Sequence, residues 1–290
     1  MTAAVIIPFS PATEAPERVD AFEFVARWYN DHYPKWPLIV GASSAPWSKG
    51  AAVADAMRDA LLADVDVLVI ADADSFIIDP IILSAAVREV EIGNANWVTP
   101  HQYVYRLKPD ETRRVLDGAK PRLGHTHRPP YEGPIGGGIT VVRRDTFDDV
   151  NGIDRRFLGW GGEDIAFGYA LETLCPPGRR LTGALVHLWH PHPAPNLRGS
   201  PESEELVAAY ADARGLRRRM RAMVDGATSA PALDPVDPVR FRMTANRRTL
   251  RLGGGSKIIR FDKGTYTTTD PDEIDALRAT PIVTEDRGRP

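Results

Sequence analysis

Residues 67–76, Val-Leu-Val-Ile-Ala-Asp-Ala-Asp-Ser-Phe, constrain the fold more than any other stretch. Val67, Leu68, Val69 and Ile70 are apolar on both faces, as in a strand covered on both sides. Asp72 and Asp74 follow at a spacing of two, which in an extended segment puts both carboxylates on one side. Standing at the carboxyl end of a buried strand, they occupy the place where open α/β sheets bind ligands. Two hard oxygen ligands there suit Mg²⁺ or Mn²⁺, and such an ion can hold a diphosphate. The plainer alternative is a polar loop that ends a strand, with one Asp capping the next helix.

The pattern around this stretch predicts an α/β chain. Ala3 to Pro8 reads as a short apolar strand, stopped by Pro8. Val19, Phe22, Val25, Ala26 and Tyr29 recur at helical spacing, which predicts a helix over 17–33 ended by Pro34. Leu38 to Val40 is a second strand, and Ser48 is the N-cap of a helix over 48–63. Strand, helix, strand, helix, strand implies right-handed crossovers and a mostly parallel sheet, a nucleotide-binding half of Rossmann type. No Gly-x-Gly-x-x-Gly turn accompanies it, so the dinucleotide fingerprint is absent. A helix over 79–92 and a short strand over 97–100 follow. From Arg106 to Pro134 the pattern dissolves into an irregular stretch with several basic residues and prolines, either a functional loop or lid or a solvated excursion.

Composition narrows the partners. The 290 residues suffice for one large α/β domain, or one domain plus an appendage. A net charge of −3, from 36 basic and 39 acidic residues, argues against nucleic acid or an anionic membrane as main partner. Cys175 is the only cysteine, which excludes an internal disulfide and fits a reducing compartment. No signal peptide or membrane span is expected, and a cytoplasmic protein is.

Two further regions carry chemistry. Gly136-Gly-Gly138 leads into the strand Ile139–Val142, followed by a short helix over 143–150. Then Phe157-Leu-Gly-Trp-Gly-Gly-Glu-Asp164 opens an apolar helix that runs to Leu174. Glu163 and Asp164 at that helix N-terminus are favoured by the dipole and need no other purpose. Trp160 beside them suggests more, because the apolar face of an indole covers sugar C–H groups. The other region is Ala184-Leu-Val-His-Leu-Trp-His-Pro-His192, where His187, His190 and His192 follow a short strand. A lone His is more often structural, but three in six residues beside two candidate metal carboxylates point to metal binding.

These pieces, in this order, resemble the GT-A glycosyltransferases over roughly residues 3–210. Asp72-Ala-Asp74 resembles the family's Asp-x-Asp motif, which holds a divalent metal on the donor diphosphate. The segment from Gly136 to Asp164 is similar to the acceptor-side block of the β-1,4-galactosyltransferases and polypeptide N-acetylgalactosaminyltransferases. His187-Leu-Trp-His190 is similar to the segment that returns a metal ligand in both groups. The resemblance implies that Asp74 and Asp72 bind Mn²⁺ or Mg²⁺, with His187 or His190 completing the shell. It places Pro8, Phe9 and Ser10 near the nucleotide, with Asp72 and Gly138 beside the nucleotide-sugar and Trp160 and Gly161 against the sugars. Asp164 matches the catalytic base of the inverting enzymes, and Glu163 would hold a sugar hydroxyl, although the two could exchange roles. The implied reaction moves a hexose or N-acetylhexosamine from a UDP-sugar such as UDP-galactose to a protein or glycan hydroxyl. One departure is Gly41-Ala-Ser-Ser44, where many members have an acidic Asp-Asp-Gly-Ser turn for the base.

Past His192 a helix over 204–224 carries Arg217-Arg-Arg219, and 226–238 reads as a Pro- and Asp-rich linker closing a domain over 1–225. Residues 239–290 hold short alternating segments, with Gly253–Gly255 and Lys263-Gly264 as hairpin turns and a capped helix over 269–278. This small β-rich module is similar to one in some phage structural proteins, which implies targeting or assembly, a virion protein as acceptor and the host cytoplasm as location. Two other function classes stay open. A sugar-nucleotide pyrophosphorylase or nucleotidyltransferase would share the sheet and the metal carboxylates, but it needs a Gly-rich basic loop after the first strand that Ile7-Pro-Phe-Ser-Pro11 lacks. A carbohydrate-binding module without catalysis would explain Trp160 but not the metal constellation.

Overall fold

A computed structural model describes residues 3–10, 15–191, 200–229, 231, 233–244, 249–252 and 257–286. His192 and the Gly253–Gly255 turn lie outside the described residues. The chain opens with β1 (Ala3–Pro8), α1 (Pro16–His32), β2 (Leu38–Gly41), α2 (Lys49–Ala56) and β3 (Val67–Ala71). Next come β4 (Ser75–Ile77), α3 (Pro80–Glu91), β5 (Trp97–Arg106), α4 (Pro109–Leu116) and β6 (Tyr131–Glu132). After them run β7 (Ile139–Arg143), α5 (Arg144–Asp149), α6 (Glu163–Leu174), β8 (Gly178–His187), α7 (Pro201–Ala213) and α8 (Arg217–Val224).

One sheet runs in the order β2-β1-β3-β7-β5-β8-β4, with β6 paired to β5. β2, β1 and β3 are mutually parallel, as strand–helix alternation requires. The rest is mixed, which corrects the expectation of a mostly parallel sheet. β7 is antiparallel to both β3 and β5, β8 is parallel to β5, and β4 is antiparallel to β8. The alternation that enforces parallel pairing ends at β3, which passes through the Asp72–Asp74 turn straight into β4. The result is an α/β architecture in which a parallel, Rossmann-like half is joined edge to edge to a mixed half.

Strand residues alternate between two cores, which explains the unbroken apolar runs. Val5, Ile7, Val67 and Val69 pack with Val25, Trp28 and Tyr29 of α1 and Leu83 of α3 on one face. Ala4, Ile6, Leu68 and Ile70 pack with Val53 of α2 and Phe167 and Leu171 of α6 on the other. All of these residues are buried. Covered on both faces, the strands hold the loops at their carboxyl ends rigidly, and those loops carry the site.

Several boundaries differ from the sequence pattern. The helix expected over 48–63 stops at Ala56, and a separate 3-10 turn covers Ala60–Leu62. The helix expected over 204–224 is two helices, broken where Gly215 adopts a φ of 78°. The irregular stretch 106–134 is ordered. It contains α4, whose Glu111 is fully buried and accepts from Arg114 and from the backbone and guanidinium of Arg122. Those arginines hold the Glu111 carboxyl down at about 2.

Beyond α8 lie β9 (Val239–Met243), β10 (Thr249–Arg251), β11 (Ile258–Arg260), β12 (Thr265–Thr268), α9 (Pro271–Arg278) and β13 (Val283–Glu285). They form a β10-β11 pair, a β12-β9-β13 sheet and a third core. The Lys263-Gly264 turn is present, with φ of 47° and 80°. This C-terminal unit docks on α8. Leu216 enters its core, Asp272 accepts from the Arg218 backbone, and Arg219 pairs with Asp270. Among the described residues no helix is long and apolar enough to cross a membrane.

Candidate active site

A cleft of about 400 Å³ opens at the carboxyl ends of β1 and β3. Its walls include Pro8, Arg18, Trp47, Lys49, Asp72, Asp74, Arg106, Arg128, Trp160, Gly161, Glu163, Asp164, His187 and His190. Most of the residues singled out in the sequence therefore converge on one place. Phe9 does not line it: its ring is 1% exposed and stacks on Phe22 at 4.3 Å in the core. Ser10 is also buried, where its hydroxyl donates to the Ser43 carbonyl and accepts from the Ser43 N–H.

Sheet register explains how the two aspartates separate. The chain turns between β3 and β4, so Asp72 and Asp74 are not on one extended face. β7 pairs with β3 up to Ala71 and Ile139, which sets Gly138 opposite Asp72. The Asp72 N–H donates to the Gly138 carbonyl at 2.8 Å, and the Gly138 N–H donates to Asp72 Oδ2 at 3.1 Å. Gly138 needs its φ of 69° for this, and a Cβ there would run into Leu185. On the other side, β4 pairs with β8 so that Ser75 faces His187, and the Leu188 N–H donates to the Asp74 carbonyl at 2.8 Å. This clasp draws both histidines onto Asp74.

Asp74, His187 and His190 offer three donor atoms within 4.8 Å of one another, the group among the described residues that could hold a metal ion. His187 Nε2 lies 3.6 Å from Asp74 Oδ1, and His190 Nε2 lies 3.1 Å from Oδ2. His190 Nδ1 sits 2.8 Å from the Pro191 carbonyl, a partner that leaves Nε2 as the free lone pair. His187 Nδ1 is buried and has no partner among the described residues. Burial lowers the His187 pKa to about 4 against the raising pull of Asp74, which favours the neutral form that ligates. Burial opposes charge on Asp74, but His187, His190 and Arg18 outweigh it and hold the carboxyl well below its usual range. A carboxylate beside two imidazoles fits a divalent cation. Asp72 does not join this group, and both histidines do.

The opposite wall is built around Lys49, which the sequence pattern did not single out. Ser48 caps α2, its Oγ accepting from the Ala51 N–H, and Lys49 occupies the first helical position. A cation there opposes the helix dipole and needs compensation. Lys49 Nζ donates to Asp72 Oδ1 and to Asp164 Oδ1, both at 2.6 Å, and its side chain is 8% exposed. Burial works against its charge, yet Asp164, Asp72 and Glu163 outweigh that and raise its pKa. α6 begins at Glu163, whose carboxylate turns back to accept from the Gly161 N–H at 3.0 Å. Burial raises Glu163 against the pull of Lys49. Asp164 is pushed up to about 7, first by burial, with Asp72 and Glu163 adding to it and Lys49 opposing. A half-buried carboxyl that titrates near neutrality is suited to taking and giving protons.

An aromatic shelf closes the cleft. The Gly159 N–H donates to the Trp47 carbonyl, and the Trp47 and Trp160 rings lie 6.0 Å apart at 23°. The Arg18 guanidinium sits 4.0 Å over the Trp160 ring and 3.9 Å from Asp74. Trp47, Arg18 and Arg106, like Lys49, carried no signal in the sequence, since each stands in a helix, strand or loop as an ordinary residue of its type.

Residues 125–174 match the family model described as "N-terminal domain of galactosyltransferase", over the same block whose resemblance is evident in the sequence. None of the curated proteins compared matches the chain. Among solved structures, the catalytic domain of Drosophila β-1,4-galactosyltransferase 7 in complex with xylobiose is similar at 14% identity, with 95% of this chain and 97% of that one covered and a TM-score of 0.42. Glucosyl-3-phosphoglycerate synthase from Mycobacterium tuberculosis, solved with Mn²⁺, UDP and glucosyl-3-phosphoglycerate, is similar at 16% identity over 73% and 79%, with a TM-score of 0.43. A Pyrobaculum calidifontis mannosyltransferase in complex with GDP-mannose and Mn²⁺ gives 16% over 79% and 65%, with a TM-score of 0.41.

Proposed function

We propose that this chain, a metal-dependent glycosyltransferase of GT-A fold, moves a hexose or N-acetylhexosamine from a UDP-sugar to a glycan or protein hydroxyl with inversion. The observation that carries the proposal is the division of the cleft. One wall offers Asp74, His187 and His190, and the other a half-buried Asp164 held by Lys49. Two imidazoles beside the carboxylate favour Mn²⁺ over Mg²⁺, which prefers oxygen ligands and its own water. Bound there, Mn²⁺ would supply positive charge against the departing diphosphate, so no protein acid is required on that side.

The chain's own residues supply the rest. Asp164 accepts the proton of the acceptor hydroxyl as that oxygen attacks the anomeric carbon. Lys49 fixes Asp164 Oδ1, which leaves Oδ2 for the proton. Trp160, held by Trp47 and Arg18, lines the cleft on the side of the sugar. Glu163 is tied to the Gly161 N–H and shapes the turn that carries Trp160. Asp72, bound to Lys49 and Gly138, joins the two walls and is an organiser of the site rather than a ligand of the metal. The C-terminal unit serves targeting or assembly, and a virion protein remains the acceptor implied by its resemblance.

Asp164→Asn tests the assignment. The variant should stay folded and bind UDP with Mn²⁺ as the parent does, while transfer falls roughly 10²–10⁴-fold, the usual contribution of a positioned base. The product anomer read by NMR should be opposite to the donor's. Retention of configuration, or full activity in the variant, would remove Asp164 from this role.

A further inference from the structure

Outside the catalytic cleft, two cavities run into each other between α1 and α4. One, of about 350 Å³, is lined by Glu17, Asp20 and Glu23 of α1, by Arg113 of α4 and by Trp189. The other, of about 400 Å³, continues past Phe24, Trp28 and Asp31 to His32. Arg27, Leu116 and Asp117 line both, so the two form one groove. From Glu17 to His32 the groove follows α1 for about 22 Å, given a helical rise of roughly 1.5 Å per residue. An extended chain at roughly 3.3 Å per residue fills that length with about seven residues.

Polar anchors set the far wall. Glu111 of α4 is fully buried on Arg122, and Thr112 Oγ1 accepts from the Trp189 N–H at 2.8 Å. Glu17 and Trp189 directly precede Arg18 and His190, both of which line the catalytic cleft, so one end of the groove stands beside it.

Charge decides what the groove takes. Its carboxylates, Glu17, Asp20, Glu23, Asp31 and Asp117, outnumber its guanidinium groups, Arg27 and Arg113, and among the described residues none of these forms an ion pair. A neutral sugar chain gains nothing from that excess of negative charge, whereas a chain bearing ammonium or guanidinium groups does. The stems of such side chains also cover aromatic surface, which Trp189, Phe24 and Trp28 supply.

We infer that the groove between α1 and α4 docks an extended, lysine- or arginine-bearing segment of the acceptor polypeptide and so brings a neighbouring hydroxyl to the cleft. Delivery of that hydroxyl rests on the glycosyltransferase reading with a protein acceptor, but docking itself requires neither donor nor metal.

Fluorescence anisotropy on the full chain tests this with three labelled probes: a nonapeptide of Lys-Ser-Gly repeats, its counterpart with Glu in place of Lys, and maltotetraose. The parent should bind the lysine peptide, more weakly as salt is raised, and neither of the other two. Asp20→Asn combined with Glu23→Gln, both at exposed positions, should weaken that binding roughly tenfold or more while thermal unfolding stays the same. Asp20→Lys combined with Glu23→Lys should take the glutamate peptide instead, an exchange that misfolding cannot produce. UDP release from a UDP-sugar with Mn²⁺ should be equal in the parent and these variants, since neither residue lines the catalytic cleft. Absence of lysine-peptide binding, equal binding of both peptides, or lysine-peptide binding that the variants retain overturns the inference. So does maltotetraose binding that the variants lose. Docking with no UDP release from the parent keeps the groove and removes the transferase reading instead.

Discussion

Replacing Lys49 by Met isolates the electrostatic link on which the proposed base, Asp164, depends. Lys49 Nζ is 2.6 Å from a carboxylate oxygen on each side, and it lowers an Asp164 carboxyl that burial, Asp72 and Glu163 push up to about 7. An opposite charge at such a distance shifts a carboxyl by roughly 1–3 units, or about 1.4–4 kcal/mol. Without it the Asp164 pKa should rise by that amount. A base works only when deprotonated, so the parent's rate should climb with pH through about 7. In Lys49→Met that acid limb should move up by about 1–3 pH units, cutting the rate at pH 7 by roughly 5- to 500-fold. Removing one partner of a buried pair also costs stability, about 3–5 kcal/mol when water is excluded. The Asp72 and Asp164 side chains are 28% and 25% exposed, which reduces this to roughly 1–3 kcal/mol. The assay is UDP release from a UDP-sugar with Mn²⁺ across pH 5–10, beside thermal unfolding to show that the variant folds. Lys49→Arg, which keeps the charge, should leave the limb near its parental position. An acid limb that stays in place in a folded Lys49→Met protein would refute the coupling.

Three further outcomes follow from the geometry. Asp74→Ala and His190→Ala should each lose Mn²⁺-dependent UDP affinity in calorimetry by tenfold or more, because each removes a donor atom from the cluster. Gly138→Ala should lower the unfolding temperature by the equivalent of about 1–3 kcal/mol, since the added methyl meets Leu185 at a positive φ. A protein ending at Gly226 should still release UDP from the donor but unfold earlier, having lost the packing on Leu216 and the Arg219–Asp270 pair; a folded but inactive protein would place the C-terminal unit in the active site.

Much of this arrangement was legible in the sequence because it rests on local pattern. Val67–Ile70 could only be a doubly covered strand, and the turn after it carried the chemistry. The Asp74 and His187–His190 groups were visible as residue types that rarely cluster without cause. Their contact depends on β4 pairing with β8, a long-range register that no local pattern encodes. The same register explains why Asp72 and Asp74 point to different partners although their spacing suggested a shared face. Lys49 was hidden because a lysine behind a capping serine reads as surface, and only tertiary packing buries it against two carboxylates. α4 was missed because its anchor is polar: a fully buried Glu111 breaks the apolar periodicity that reveals most helices. Phe9, next to the cleft in sequence, points the other way because strand residues alternate and its ring meets Phe22 in the core.

The central claim is that the cleft breaks a sugar–diphosphate bond with the help of a metal held by Asp74 and two histidines. The most direct measurement incubates the full chain with UDP-, GDP- and TDP-sugars with and without Mn²⁺ and identifies the nucleotide released. Nucleoside diphosphate should be released, UDP most rapidly, only with Mn²⁺ and not with Asp74→Ala. Nucleoside monophosphate or triphosphate chemistry, or diphosphate release indifferent to Mn²⁺ and to Asp74, would contradict it.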